Sequence, residues 1–580
     1  MPVSPSQIIV LATPVFLLLM AAEFAWSRAR GRVVYRTSDA ISSISLGVLS
    51  QLGGLFTKTL AIGLYAAVYD SLAVFPDRAF WTTWYGVLLA LLYYDFCYYW
   101  LHRAGHEVAL FWAAHVVHHQ SESYNLSTAL RQTSSGVLLG WIFYLPMAIA
   151  GVPPLIFGIV ALIDLLYQFW VHTELVGKLG WFDRVFCAPS NHRVHHAVND
   201  QYLDKNYGGI LILWDRLFGS FREEREQCVY GTRNPLRSWD PLWANGEVYW
   251  ALMKDSWHTR RWSDKLRVWL KPPGWRPADL AQASPRAPFD LTRCQLFNPV
   301  LDRTGLRFAI VQFPLMLAGV LLVLWYAGRW SMSSSAICSV ALVACYWAMC
   351  AVMQQRLAIV AALLVQSAAV ATASSALGWI DLHHVFKPLT MLLAMLFVWR
   401  HGSGPGLQGR PARLLTGALV ASLAGDLFLM GPTSGFIPGL ASFLVAHLFY
   451  IRLFQVEQAW FPSRKALAAA VVFGVAMLSV VWSGLGSPVL RLAVPTYVAV
   501  IVAMAAQAIG RATVLRDGAS AAVALGACFF LLSDSLLAIN RFVTPVPLSA
   551  LWILSTYYTA QILIVLNSLR GARQPRATAP

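Results

Sequence analysis

Runs of about twenty apolar residues recur from near the start of this chain to near its end, and nothing else in it limits the fold so severely. Twenty residues of helix span about 30 Å, the thickness of a bilayer's hydrocarbon. There every backbone N–H and C=O must be paired inside the protein, which a helix does within a single segment. About fifteen such runs are legible by hydropathy. They begin near residues 6, 44, 80, 136, 153, 308, 335, 356, 383, 413, 436, 466, 490, 519 and 548. Only 12% of the 580 residues are charged and 57% are hydrophobic, whereas a soluble domain is about a quarter charged. The pattern predicts an all-α polytopic membrane protein.

The first run, "QIIVLATPVFLLLMAAEFAW", lacks a basic stretch before it, and Arg28, Arg30, Arg32 and Arg36 follow it. It reads as a retained helix and not as a cleaved signal. The positive-inside rule then puts the N-terminus outside. It places 27–40, the stretch after 101, the long polar segment 174–305, the loop 400–413 and the basic tail 571–580 in the cytoplasm. Within 174–305, "KDSWHTRRWSDKLRVWLKPPGW" alternates basic residues with tryptophan, a composition suited to the headgroup layer. The formal charge of +16 sits largely in short loops, with no clustered basic face for nucleic acid. Eight scattered cysteines without a CxxC pair signal neither a disulfide framework nor a zinc ribbon.

Where the third run ends, histidine accumulates. His102 and His106 form HxxxH; His115, His118 and His119 form HxxHH; His192, His195 and His196 repeat HxxHH; His172 closes another apolar run. Residues three and four apart share a helix face, so each cluster can aim two or three imidazoles at one point. Zinc sites use three or four protein ligands. Nine imidazoles therefore suit two ions, and imidazole favours iron, zinc or copper over magnesium or calcium. "HEVAL" fails the HExxH metalloprotease pattern, because Leu110 stands at the second histidine. Asp95, seven residues before His102 on the same helix face, is an acid near the end of a membrane run and so a site candidate.

The set HxxxH, HxxHH, HxxHH resembles the fatty acid hydroxylase / sterol desaturase superfamily. "DFCYYWLHRAGHE", "HHQSESYNLSTALRQ", "LYQFWVHTE" and "NHRVHHAVNDQYLDKNYGGILILWDRLFGSF" are similar, within it, to the alkylglycerol monooxygenases. That resemblance implies two iron ions held by His102, His106, His115, His118, His119, His172, His192, His195 and His196. It implies O2 as cosubstrate, and tetrahydrobiopterin or another electron donor, which a partner protein can supply. The reaction implied is hydroxylation beside the ether oxygen of an alkylglycerol lipid, releasing a fatty aldehyde. Glu122 matches a family carboxylate and, with Asn125 and Asp95, is expected near the metal, the pterin or the substrate. Asn191 stands where the family often has a further histidine, and is not expected to be a ligand.

Beyond about 380 the apolar runs carry few charges. Asp426 and Asp534 lie within them, with Lys387, His447, Tyr557 and Gln561. Counted from their cytoplasmic ends, both acids fall roughly 20 to 24 Å across, at similar depth. Two acids at one depth can act as acid and base on a buried substrate, or one can pair with Lys387 for packing alone. "FKPLTM", "GDLFLM", "GFIPGLASFLVAHLFY" and "YYTAQILI" resemble the YhhN family, which includes lysoplasmalogenase. The resemblance implies vinyl-ether hydrolysis of a lysoplasmalogen, with Asp426 and Asp534 as the catalytic acids.

The expected organisation is an oxygenase-like membrane domain over 1–378, a lysoplasmalogenase-like domain over 379–570 and the tail 571–580. Two other readings stay open. One is a di-iron hydroxylase or desaturase of a sterol, carotenoid or fatty acyl chain with a non-catalytic C-terminal half. The other is a metal transporter, although a transporter would spread its polar sites over two repeated halves.

Overall fold

In the computed structural model, residues 4–402, 409–456 and 458–569 are described. The tail 571–580 and part of the loop 400–413 lie outside them. The chain divides into two compact units, Met1–Ser335 and Ala336–Pro580. Among the described residues there is no strand, and two isolated β-bridges are the only extended pairing. Twelve helices among the described residues are long and apolar enough to cross a membrane. The protein is an integral, multi-pass membrane protein. The remaining apolar runs also form helices. Trp84–Glu107 carries Asp95, His102 and His106, while Gly136–Ala150 and Pro154–Trp170 are shorter.

In the first unit, Ser4 opens the helix Pro5–Ala29 with a capping box. Thr83 caps Trp84–Glu107 by accepting from the Gly86 N–H. The turn "GVPP" reverses the chain before Pro154–Trp170. Its Gly151 has φ 101°, and a Cβ there would lie 2.1 Å from the Phe75 carbonyl oxygen. Only glycine fits that approach. The histidines sit on short helices, Val116–His119 and Pro189–His195, or at the ends of long ones. Within 174–305, the helices Pro241–His258 and Trp262–Leu270 leave Trp257 and Trp262 each 82% exposed.

The second unit strings Ile359–Ala376, Ile380–Gly402, Arg410–Met430, Phe436–Gln455, Arg464–Val481, Pro488–Leu515, Gly518–Phe542 and Ser549–Asn567 through short turns. Its core is rich in alanine (Ala361, Ala394, Ala418, Ala505, Ala527 and Ala560) among larger apolar residues. Small residues let helices approach where no hydrophobic force separates protein from lipid. Gly425 shows the need: a Cβ there would lie 2.6 Å from the Phe443 ring, so glycine seats that ring next to Asp426.

Candidate metal centre and buried acid cavity

The nine histidines converge in two groups. His102, His106, His115, His119 and His195 form one; His118, His172, His192 and His196 form the other. Each offers one nitrogen, and within a group these atoms all lie within 4.8 Å of one another. In the first group the Nε2 of His115 is 3.1 Å from those of His102 and His119, and the Nε2 of His195 is 3.1 Å from that of His119. In the second, His172 Nε2 is 3.2 Å from His118 Nε2 and 3.1 Å from His192 Nε2, with His196 Nε2 a further 3.2 Å from His192 Nε2. The i,i+4 pairs (102/106, 115/119, 192/196) stay together, while His118 and His195, three residues from their neighbours, cross to the other group. Four residues turn a helix about 40° past a full revolution, and three stop about 60° short of one.

Main-chain carbonyls set the tautomers. His102 Nδ1 donates to Tyr207 O at 2.8 Å, His118 Nδ1 to Arg131 O at 2.9 Å, His172 Nδ1 to Gln168 O at 2.8 Å and His195 Nδ1 to Lys205 O at 3.1 Å. A carbonyl only accepts, so the hydrogen sits on Nδ1 and Nε2 keeps a bare lone pair. His118 and His172 thus face each other with two bare Nε2 atoms at 3.2 Å. Such lone pairs repel unless a cation lies between them. The buried His106 Nε2 likewise has no hydrogen-bond partner. Burial holds the rings of His115, His119, His195 and His196 well below the ordinary imidazole pKa, and neighbouring imidazoles add to it. Burial also lowers His118 to about 4. All five are neutral at pH 7 and able to offer a lone pair.

The donor set fits iron. Nitrogens about 2.1 Å from one ion lie about 3.0 Å apart at a right angle and about 3.4 Å apart at the tetrahedral angle. The distances of 3.1 Å are nearer the first and those of 3.2 Å lie midway, and the five donors of the first group exceed the four of a structural zinc site. A mostly apolar cavity of about 140 Å³ includes His118 and His172 in its lining, with Phe16, Val48, Leu130, Phe169 and Leu321.

Asp95 and Glu122 both bind main-chain N–H groups of this unit's loops. Asp95 accepts from the Ile210 and Leu211 N–H groups and from Trp214 Nε1 at 2.7–3.0 Å. It thereby holds the segment whose Tyr207 carbonyl orients His102. Tyr207 was not singled out beforehand, since it acts through its main chain. Glu122 accepts from the Phe297 N–H at 2.6 Å and lies 3.8 Å from Arg36. Burial raises its pKa, and that hydrogen bond and Arg36 oppose the rise. Asn125 caps its own turn by accepting from the Ser127 N–H and ties that turn to the first loop by donating to Val34 O. Asn191 donates to the carbonyls of Asp183 and Phe186.

In the second unit Asp426 and Asp534 line one cavity of about 410 Å³, otherwise mostly apolar. Asp426 lies 3.3 Å from Lys387 Nζ and accepts from Tyr557 Oη at 2.7 Å. Gln561 donates to Tyr557 at 3.3 Å and accepts from Tyr450 at 2.6 Å. Asp534 accepts from Tyr497 Oη at 2.5 Å, and His447 Nε2 is 3.0 Å from that hydroxyl. Each acid therefore has its own tyrosine, and no hydrogen bond among the described residues joins the two. Tyr497, His383 and Arg541, also in the cavity wall, were not legible: tyrosine is common here, and the other two sit close to helix ends.

Two family models match the chain, Fatty acid hydroxylase over 87–220 and YhhN over 382–568. The chain is 39% identical to human alkylglycerol monooxygenase over 319 residues, 53% of this chain and 69% of the relative. It is 38% identical to the Danio rerio protein of that name over 53% of this chain and 68% of the relative. It is also 34% identical to human lysoplasmalogenase TMEM86A over 35% of this chain and 83% of the relative. The chain belongs to both families. It joins an alkylglycerol monooxygenase homologue to a lysoplasmalogenase homologue. No solved structure matches it. The Fatty acid hydroxylase match encloses all nine histidines, and the YhhN match encloses Lys387, Asp426, His447, Tyr497, Asp534, Tyr557 and Gln561.

Proposed function

We propose that this protein is an ether-lipid-cleaving membrane enzyme with two active sites. In the first, the nine histidines hold two iron ions, and a saturated alkyl chain lies in the cavity lined in part by His118 and His172. When bound, the iron supplies O2 activation. Hydroxylation of the carbon beside the ether oxygen consumes O2, two electrons and two protons and releases water. The hemiacetal then collapses to a fatty aldehyde and a glycerol. Tetrahydrobiopterin or another donor brings the electrons, with Glu122 on the side where it would dock. The protein's own part is to aim neutral imidazoles, fix their tautomers through carbonyls and keep the chain in an apolar slot. Asp95 acts by positioning that framework.

In the second site, Asp426 and Asp534 divide the work of vinyl-ether hydrolysis. One gives a proton to the vinyl carbon remote from the ether oxygen, and the other takes a proton from the water that adds to the carbon bearing that oxygen. The hemiacetal so formed breaks its C–O bond to give a fatty aldehyde and the glycerol hydroxyl. Lys387, Tyr557 and Gln561 hold Asp426, while His447 with Tyr497 holds Asp534. The boundary between the two modules is placed near 378, with the histidines on the cytoplasmic face and the N-terminus outside. The start of the YhhN match at 382 supports that boundary, while the compact units divide earlier, at 335/336, so that Ile359–Ala376 packs with the second unit.

The observation that carries this reading is the convergence of bare, buried Nε2 atoms beside a mostly apolar cavity. The test is elemental analysis of the purified protein, paired with aldehyde release from an alkylglycerol with and without O2. Two irons per chain and O2-dependent aldehyde are expected. A single zinc, or O2-independent release, overturns it.

A further inference from the structure

The cavity holding Asp426 and Asp534 has a third charged feature that the proposed hydrolysis does not use. Arg541 also lines it. It follows Asp534 by seven residues on Gly518–Phe542, two turns along nearly the same face and about 10 Å toward the helix end. Its guanidinium carbon lies 3.8 Å from the centre of the Phe436 ring. No hydrogen bond or ion pair to it occurs among the described residues, whereas the other cationic side chain of the cavity, Lys387, is paired with Asp426. A guanidinium stacked on a ring is held in place while its N–H edge stays open, the geometry that grips a phosphate at two points. Arg541 is exposed, so its end of the cavity meets the exterior, and the lining toward Asp534 (Leu537, Ala538, Val494) is apolar.

We propose that Arg541 sets the specificity of this cavity, selecting lipids that carry an anionic phosphate on the glycerol beside the vinyl ether over neutral alkenylglycerols. The inference rests on the hydrolase reading of the cavity and names how its substrate is chosen. The reach agrees: glycerol carbons and one ester oxygen separate the ether oxygen from phosphorus by about 6 Å, and the arginine side chain covers the remainder.

The experiment uses the full-length protein in detergent with two substrates, a 1-alkenyl-glycerophosphoethanolamine and the matching 1-alkenylglycerol. Wild type should favour the first in kcat/KM. Arg541→Gln should reduce that preference about 10- to 100-fold, mainly through KM for the phosphate-bearing lipid, and Arg541→Lys should restore part of it. An unchanged preference in Arg541→Gln overturns the proposal. A binding arm separates this from failure of the hydrolase reading. Thermal stabilisation by a saturated lysophosphatidylethanolamine, which has no vinyl ether, should be present in wild type and weakened in Arg541→Gln even if neither substrate is hydrolysed. Equal stabilisation of both proteins overturns the proposal, and so does an Arg541-dependent shift produced by inorganic phosphate alone, which would mark a free-anion site.

Discussion

The two sites solve opposite problems of burying polarity. Around the histidines, lone pair faces lone pair: the bare Nε2 atoms of His118 and His172 stand 3.2 Å apart, a repulsion that a cation between them would relieve. Around the aspartates, both acids are already answered, Asp426 by Lys387 and Tyr557 and Asp534 by Tyr497. In the function proposed, the first site is completed by iron, while the second needs only its own acids and an open volume for a substrate. Cofactor chemistry is thus assigned to the first and protein-only acid–base chemistry to the second. Each should therefore survive the loss of the other.

The largest effect comes from testing that independence. Stripping iron with a chelator, or His195→Ala, should reduce alkyl-ether oxidation to background while vinyl-ether hydrolysis continues. Loss of both activities on chelation would break the contrast, since the aspartate cavity would then need a metal too. The reciprocal change is next. Asp426→Asn should lower hydrolysis by roughly 10²- to 10⁴-fold per folded molecule, the usual worth of a positioned acid or base, and leave oxidation in place. If Asp426 were only the packing partner of Lys387, the Asn protein would be less stable but would still turn over, so activity must be normalised to folded protein. A pH–rate profile with two limbs, losing one in the variant, would sharpen the assignment.

A smaller effect separates holding the metal from doing chemistry. Asp95 takes three donors from 210–214, and Asn in its place would turn an NH2 toward some of those N–H groups. The Tyr207 carbonyl behind His102 should then shift, weakening iron binding about 10- to 100-fold, as other outer partners of metal ligands do. Activity of Asp95→Asn should return with added iron. Failure to recover at saturating iron would move Asp95 from positioning to the reaction itself.

Much of this was legible in the sequence because its signals were local. Helix runs and HxxHH spacings concern residues within a turn or two of one another, so the membrane helices and all nine histidines could be named. What the spacing could not give was the sorting into five and four. That depends on where separate helix ends meet, and on His118 and His195 crossing between groups. Tyr207 was hidden because a carbonyl has no side-chain signature. Tyr497 was hidden because a tyrosine in an apolar run looks like packing until a partner such as Asp534, 37 residues away, arrives beside it. Asn125 was named from its place in a motif, and it supports the turn 123–128 without touching a histidine.

The smallest expected effect tests what is proposed for both cavities, that each holds the lipid chain of its substrate. In the first unit the slot of about 140 Å³ is bounded on one side by the helix Arg303–Tyr326, through Leu317, Val320, Leu321 and Leu324. Leu321 is only half-buried, so the helix can take a larger side chain there with little strain. Leu321→Phe should shorten the slot without touching an imidazole. A chain that must fill the slot to bring its ether carbon to His118 and His172 then loses more than a shorter one. A hydrophobic pocket discriminates a single methylene by about 10- to 200-fold at best, and a partly adaptable wall by less. The expected outcome is a shift of roughly 10-fold in the kcat/KM ratio between long- and short-chain alkylglycerols, with iron content unchanged. The vinyl-ether activity of the same protein should keep its own chain preference, because its cavity is built from other helices. If both alkyl chain lengths lost activity equally, the slot would be a packing defect beside the metal centre, and the chain would have to reach the irons by another route.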